Sequence, residues 1–129
     1  MKPPRIYQLP TVTQQIKSSI AAVTVPCGGW TVYGYCRDQN LQPIAGYSVF
    51  FVNNQKVWIE AYGYAITSEL GFFEIGYSPP VPAPPVFVYL GIVNNMKEPI
   101  YLDSSPFEVY AGKAIFRDCL LYTSDAADE

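Results

Sequence analysis

From Gly28 onward the chain is cut into short apolar segments by glycine, proline and asparagine, and this punctuation decides the fold class. Trp30 to Cys36 alternates, with Trp30, Val32, Gly34 and Cys36 on one side. Arg37 to Pro43 is a polar turn. Tyr47 to Val52 reads as a strand stopped by Asn53-Asn54, and Val57 to Ile66 as another. Phe72 to Tyr77 follows Gly71, and Pro79 to Pro85 is a stiff proline loop. Val86 to Val93 is the most apolar run and reads as a central strand buried on both faces. Pro99 to Leu102, Phe107 to Tyr110 and Ala114 to Phe116 complete the set. About seven short strands with turn signals between them describe an all-β, Greek-key sandwich.

The length of 129 residues, half of them apolar, suits one such domain with a packed core. Residues 1–27 read as a separate arm. Met1 to Pro10 is proline-rich and reads as extended. Thr11-Val12-Thr13-Gln14 fits a capping box, with Val12, Ile16 and Ile20 at four-residue spacing, which suits a short helix over 12–22. The β-branched residues Val12, Thr13, Ile16, Ile20, Val23, Thr24 and Val25 suit an extended arm equally well. The start lacks the apolar stretch of a secretory signal, and no apolar run reaches bilayer-spanning length.

Two motifs stand in register. The first is Gly34-Tyr35-Cys36-Arg37-Asp38, followed by Pro43-Ile44, Gly46 and Val49. The second is Thr67-Ser68-Glu69-Leu70-Gly71-Phe72-Phe73-Glu74-Ile75. Together they resemble the carboxypeptidase regulatory-like domain, a transthyretin-like (prealbumin-like) β-sandwich, over residues 28–118. Each motif residue has a folding reason. Asp38 suits an Asx turn, Pro43 fixes φ at re-entry to the sheet, and Gly46 and Gly71 suit positive φ. Thr67 suits a strand end with its hydroxyl turned to the loop, and Phe73 and Ile75 face the core. Cys36 departs from the pattern, standing where the family has an aliphatic residue. The resemblance implies a non-catalytic structural or interaction module, often attached to larger proteins. The fold also hosts hydroxyisourate hydrolases, but their histidine and C-terminal tetrapeptide are absent here.

Residues 119–129, CLLYTSDAADE, resemble the translation of a transposon-end sequencing adapter. On that reading the chain is a metagenomic-type fragment whose true C-terminus differs. The tail is then expected to pack less well than the domain, with Asp125 to Glu129 disordered. Lys and Arg number eight, all within residues 1–118, and eight acids share that stretch. The net charge of −3 therefore sits in Asp125, Asp128 and Glu129 and gives no guide to a partner.

Histidine is absent, which removes Ser-His-Asp and Cys-His nucleophilic pairs and histidine zinc sites. Asp38, Glu60, Glu69, Glu74 and Asp103 are paper candidates for a glycosidase pair, and Asp38 with Asp103 for a calcium site. No motif flags any of them, and no catalytic residue, cofactor or metal is expected. Cys27 and Cys36 read as free thiols, since one straight strand holds them apart. Lys and Arg are scattered, so nucleic acid is not an expected partner.

Tyrosine is the surface feature left over. Tyr33 and Tyr35 share a strand face, and Tyr62 and Tyr64 form a second Tyr-Gly-Tyr. Such rings can stack on sugars or peptides, although tyrosine also simply suits pleated strands. Three functional expectations follow. The first is a structural or protein-interaction accessory module. The second is a carbohydrate- or peptide-binding module using Tyr33, Tyr35, Tyr62 and Tyr64. The third is a fragment of a hydrolase.

Overall fold

Alternation of apolar and polar residues decides which side of each strand is buried, and two layers result. The computed structural model describes residues 23–121. Its strands are β1 (Trp30–Asp38), β2 (Ser48–Val52), β3 (Tyr64–Ile66), β4 (Phe72–Tyr77), β5 (Val86–Val93), β6 (Pro99–Leu102), β7 (Phe107–Val109) and β8 (Ala114–Leu121). One sheet has the order β4-β1-β8, with β1 antiparallel to β4 and parallel to β8. The other has the order β3-β2-β5-β6. There β6 and β7 follow one another along β5, opposite Gly91–Val93 and Val86–Val88 in turn. Taken as one interrupted line, they leave seven strand positions in a β-sandwich.

The inner faces meet in one core. Trp30, Val32 and Cys36 of β1, Phe73 and Ile75 of β4, and Cys119 and Leu121 of β8 form one wall. Val49 and Phe51 of β2, Val88, Leu90 and Ile92 of β5, and Val109 of β7 form the other. Each large side chain buried this way contributes roughly 1.5–3 kcal/mol of transfer free energy. Trp30 is central, with the rings of Tyr62, Tyr77 and Phe51 at 4.9, 5.5 and 5.6 Å.

The motif residues act as folding devices. Asp38 Oδ1 accepts the amides of Asn40 (2.8 Å) and Gln42 (3.0 Å), closing the turn after β1. Pro43 pairs back with Arg37. Gly46 has φ +83. Thr67 Oγ1 accepts the Tyr47 amide at 3.0 Å, and the Thr67 carbonyl accepts that of Gly46 at 2.9 Å. Gly71 has φ +77 and sits so close to β1 that a Cβ there would be 2.5 Å from the Cys36 carbonyl oxygen. Val49 and Phe73 are buried in the core.

Three expectations change. Val57 to Ile66 is not one strand. Trp58 makes a lone bridge to Val52, Glu60–Tyr62 is a 3-10 turn, and only Tyr64–Ile66 is a strand. Gly63, at φ +73, takes the left-handed step that ends the turn. Val86–Val93 is central but not buried on both faces, since Phe87 on its outer side is 62% exposed. The last strand does not stop at Phe116: Cys119 pairs with Cys36 and Leu121 with Asp38, and both Cys119 and Leu121 are buried. Cys119 and Leu121 therefore belong to the core, while Leu120 between them faces outward and is exposed. The helix-or-arm alternative over 12–22 and the tail 122–129 lie outside the described residues.

Candidate functional site

The outer face of the five-stranded sheet carries a groove of about 380 Å³, lined by Ser48, Phe50, Trp58, Tyr64, Val93 and Lys97. Strand register builds its floor. Phe50 of β2 lies opposite Tyr64 of β3 on one side and Gly91 of β5 on the other. Gly91 has no side chain to stand on this face, and the Phe50 ring lies 3.1 Å from where its Cβ would be. Trp58 and Tyr64 form a wall, their ring centroids 6.4 Å apart and their planes 69° to one another. They are 43% and 58% exposed.

Two loops of the same design flank this face. Asn53-Asn54-Gln55-Lys56 follows β2, and Asn94-Asn95-Met96-Lys97 follows β5. In each, the first Asn side chain accepts two backbone amides ahead of it. Asn53 Oδ1 takes those of Gln55 and Val57 at 2.8 and 3.1 Å. Asn94 Oδ1 takes those of Met96 and Glu98, each at 2.9 Å. In each, the lysine has a positive φ, +65 at Lys56 and +68 at Lys97. The strands are antiparallel, so the loops lie at opposite ends of the face. Lys97 lines the groove, and Lys56 Nζ stands 4.1 Å from the Tyr89 ring centroid. The face is thus aromatic at its centre and cationic at both ends.

The four tyrosines singled out in the sequence do not converge. Tyr33 and Tyr35 lie half-buried on the outer face of the other sheet, against Phe116 (5.5 Å) and Phe72 (5.4 Å) respectively. Tyr62 turns inward onto Trp30 and Tyr77, and burial raises its hydroxyl pKa. Only Tyr64 lines the groove. Trp58, Phe50 and Lys97 were missed, although the repeated Asn-Asn-x-Lys after two strands marked the loops that carry both lysines.

Asp38 and Asp103 are committed to structure. Asp38 caps its own turn, whereas Asp103 pairs with Arg117, so these two do not share a site. Burial raises the Asp103 pKa, but hydrogen bonds from Arg117, Tyr101 and the Leu90 amide outweigh it and leave the carboxyl below the usual carboxylate range. Tyr101 is pushed up to about 12 by burial and by its bond to Asp103. Cys27 is an exposed free thiol, while Cys36 and Cys119 are buried free thiols. The hydrogen bond with Cys119, then burial, pushes the Cys36 thiol up. Among the described residues no group of three or more metal-ligating side chains forms, and no helix is long and apolar enough to cross a membrane.

No known protein family matches the chain, and no curated protein does. Solved structures align with it at low identity. BcpA, the major pilin subunit of Bacillus cereus, aligns over 73% of this chain and 30% of its own, at 10% identity and a TM-score of 0.46. Chlorocatechol 1,2-dioxygenase from Pseudomonas putida aligns over 73% of this chain and 60% of its own, at 8% identity and a TM-score of 0.44. The dioxygenase domain of a dioxygenase carbohydrate-binding protein fusion from Streptomyces sp. SirexAA-E aligns over 77% of this chain and 82% of its own, at 12% identity and a TM-score of 0.43. The chain thus spans under a third of the pilin and under two thirds of the first dioxygenase.

Proposed function

We infer that the chain is a non-catalytic protein-interaction module of the carboxypeptidase regulatory-like type, and that it engages its partner through the groove between Trp58, Tyr64 and Lys97. The observation that carries this reading is the shape of the groove. Trp58 and Tyr64 meet at 69°, with Phe50 as floor, so the rings form a cup and not a flat platform. A cup encloses an apolar side chain, whereas a sugar ring stacks best on a plane. Exposed Trp and Tyr side chains beside apolar surface are the usual anchors of protein interfaces. Lys97 at the rim and Lys56 at the far end favour a partner segment with carboxylates flanking its apolar residue. The motif residues support the architecture alone, since all of them are engaged in turns and core.

The test uses the intrinsic fluorescence of the chain. Of its two tryptophans, Trp30 is fully buried and Trp58 is exposed, so a ligand in the groove changes Trp58 emission selectively. The probes are short peptides with one Leu or Phe between acidic residues, the same peptides with lysines, and soluble oligosaccharides. The reading expects saturable binding of the acidic apolar peptides, weakened by salt and by Lys97→Glu and abolished by Tyr64→Ala, which leaves the Trp58 reporter in place. Binding of oligosaccharides alone would favour a carbohydrate-binding module. Peptide binding unchanged in Tyr64→Ala would remove the groove from the reading.

A further inference from the structure

One row of the outer face runs between the two loop lysines. Side chains alternate along β5, and Val88, Leu90 and Ile92 are buried in the core, so Tyr89, Gly91 and Val93 stand outward. Gly91 carries no side chain, and the row dips at its middle. Lys56 Nζ lies 4.1 Å from the Tyr89 ring centroid at one end. Lys97 lines the groove together with Val93 at the other. Tyr89 to Val93 is four residues, about 13 Å at ~3.4 Å per residue.

Both lysines are exposed, and both sit on loops that an Asn side chain fixes. Contact with the Tyr89 ring also holds Lys56 in place. Among the described residues the ion pairs belong to Arg37 and Arg117, and neither lysine has a carboxylate partner. Glu98, next to Lys97, accepts the Asn94 side-chain amide at 2.8 Å instead. Beside the row, β2 and β3 turn Ser48, Phe50, Tyr64 and Ile66 outward, and none of these is acidic. Two positive charges thus stand a fixed distance apart over an apolar strip.

We propose that Lys56 and Lys97 act as a ruler. The partner segment lies extended along Tyr89, Gly91 and Val93, with two carboxylates four residues apart on its near side and one apolar residue midway. This rests on the groove being a protein-interaction site and adds the length and form of what enters it. In an extended segment the side chains at i, i+2 and i+4 face the same way and span about 13 Å, the length of the row. The first and last each meet a lysine. The middle one stands over Gly91, where Phe50 forms the floor and Trp58 with Tyr64 the wall. A helix covers the same distance only in about eight residues, at ~1.5 Å each. Acids at opposite ends of a segment are therefore read by their spacing.

The experiment follows Trp58 fluorescence of the full chain against three acetylated, amidated nine-residue peptides. Each contains two Glu, six Ser and a central Leu, and they differ only in whether the acids stand two, four or eight residues apart. The proposal expects the four-residue spacing to bind tightest, by about two- to five-fold at low salt, as one exposed ion pair supplies. Lys56→Gln is expected to remove that preference and to leave the two-residue spacing unchanged. In Lys56→Glu, one of the two peptides with a single Glu replaced by Lys is expected to bind tighter than the parent peptide. Equal affinity at all three spacings would overturn the ruler and leave the groove reading standing. Tightest binding at eight residues would mean a helical partner and would overturn the ruler too. No fluorescence change with any peptide would end the groove reading itself, and the ruler with it.

Discussion

Arg117 of β8 grips Asp103 at the break between β6 and β7, with Nη2 2.7 Å from Oδ1 and Nη1 3.0 Å from Oδ2. One ion pair thus ties the two sheets together. Asp103 also repairs the break. Its amide donates to the Leu90 carbonyl at 3.0 Å, and its Oδ2 accepts the Leu90 amide at 2.9 Å. The carboxylate stands in for the backbone carbonyl that an unbroken strand would present. The Tyr101 hydroxyl donates to Oδ1 at 2.6 Å, and the Arg117 guanidinium lies 4.7 Å from the Phe107 ring centroid.

Removing either partner strands the other. The Asp103 side chain is 5% exposed and that of Arg117 is 23% exposed, so little water can replace a lost contact. Asp103→Asn and Arg117→Met are each expected to cost about 3 kcal/mol, measured by urea unfolding. The double variant is expected to cost clearly less than the two losses combined, because neither charge is then left alone. Additive losses would mean that the two side chains act independently.

The same cluster sets the pH range of stability. The folded-state pKa of Asp103 is depressed, so its contribution is present above the unfolded value of about 3.9 and is lost as pH falls through the depressed value. Tyr101 is raised to about 12, so its contribution is present below the unfolded value of about 10 and is lost as pH rises through about 12. The melting temperature is expected to fall at both limits. Asp103→Asn flattens the acid limb and Tyr101→Phe the alkaline limb.

Gly34 and Gly46 separate two costs that a glycine can hide. A Cβ on Gly34 would stand 1.7 Å from the Arg117 carbonyl oxygen of the parallel neighbour β8, and backbone cannot step aside without splitting the pair. Gly46 has φ +83 and nothing within 4 Å of where its Cβ would be. Gly34→Ala is therefore expected to prevent folding or to cost more than about 3 kcal/mol. Gly46→Ala is expected to cost about 1–2 kcal/mol of backbone strain alone. Circular dichroism and chemical denaturation of the two variants distinguish them.

The β-sandwich was legible because its signals are local. Alternation across Trp30–Cys36 and Phe72–Tyr77, and turn residues at Asp38, Gly46 and Gly71, act within a few residues of themselves. The groove was not legible, because register creates it. Phe50, Tyr64 and Gly91 lie far apart in sequence and become neighbours only when β2 pairs with β3 and β5. The Tyr-Gly-Tyr spacing misled for a related reason. In Tyr33-Gly34-Tyr35 the glycine lies inside β1, and both rings share a face. In Tyr62-Gly63-Tyr64 the glycine is a left-handed hinge, and the rings part. The end of β8 is likewise set by register, since Cys119 and Leu121 are fixed by pairing with the distant β1.

That hinge makes two tyrosines of one motif respond oppositely to substitution. The Tyr62 ring lies 4.9 Å from Trp30 and 4.7 Å from Tyr77, inside the aromatic cluster at one end of the core. Tyr64 is 58% exposed and faces the groove. Tyr62→Ala leaves a cavity beside Trp30 and is expected to cost about 3 kcal/mol in chemical denaturation. It is also expected to shift the buried tryptophan emission to the red as water reaches the indole. Tyr64→Ala removes surface the fold does not use, so stability is expected to stay within about 0.5 kcal/mol while peptide binding in the groove is lost. Equal destabilisation by the two changes would mean that Tyr64 belongs to the core, and Trp58 alone would then be left of the exposed aromatic wall.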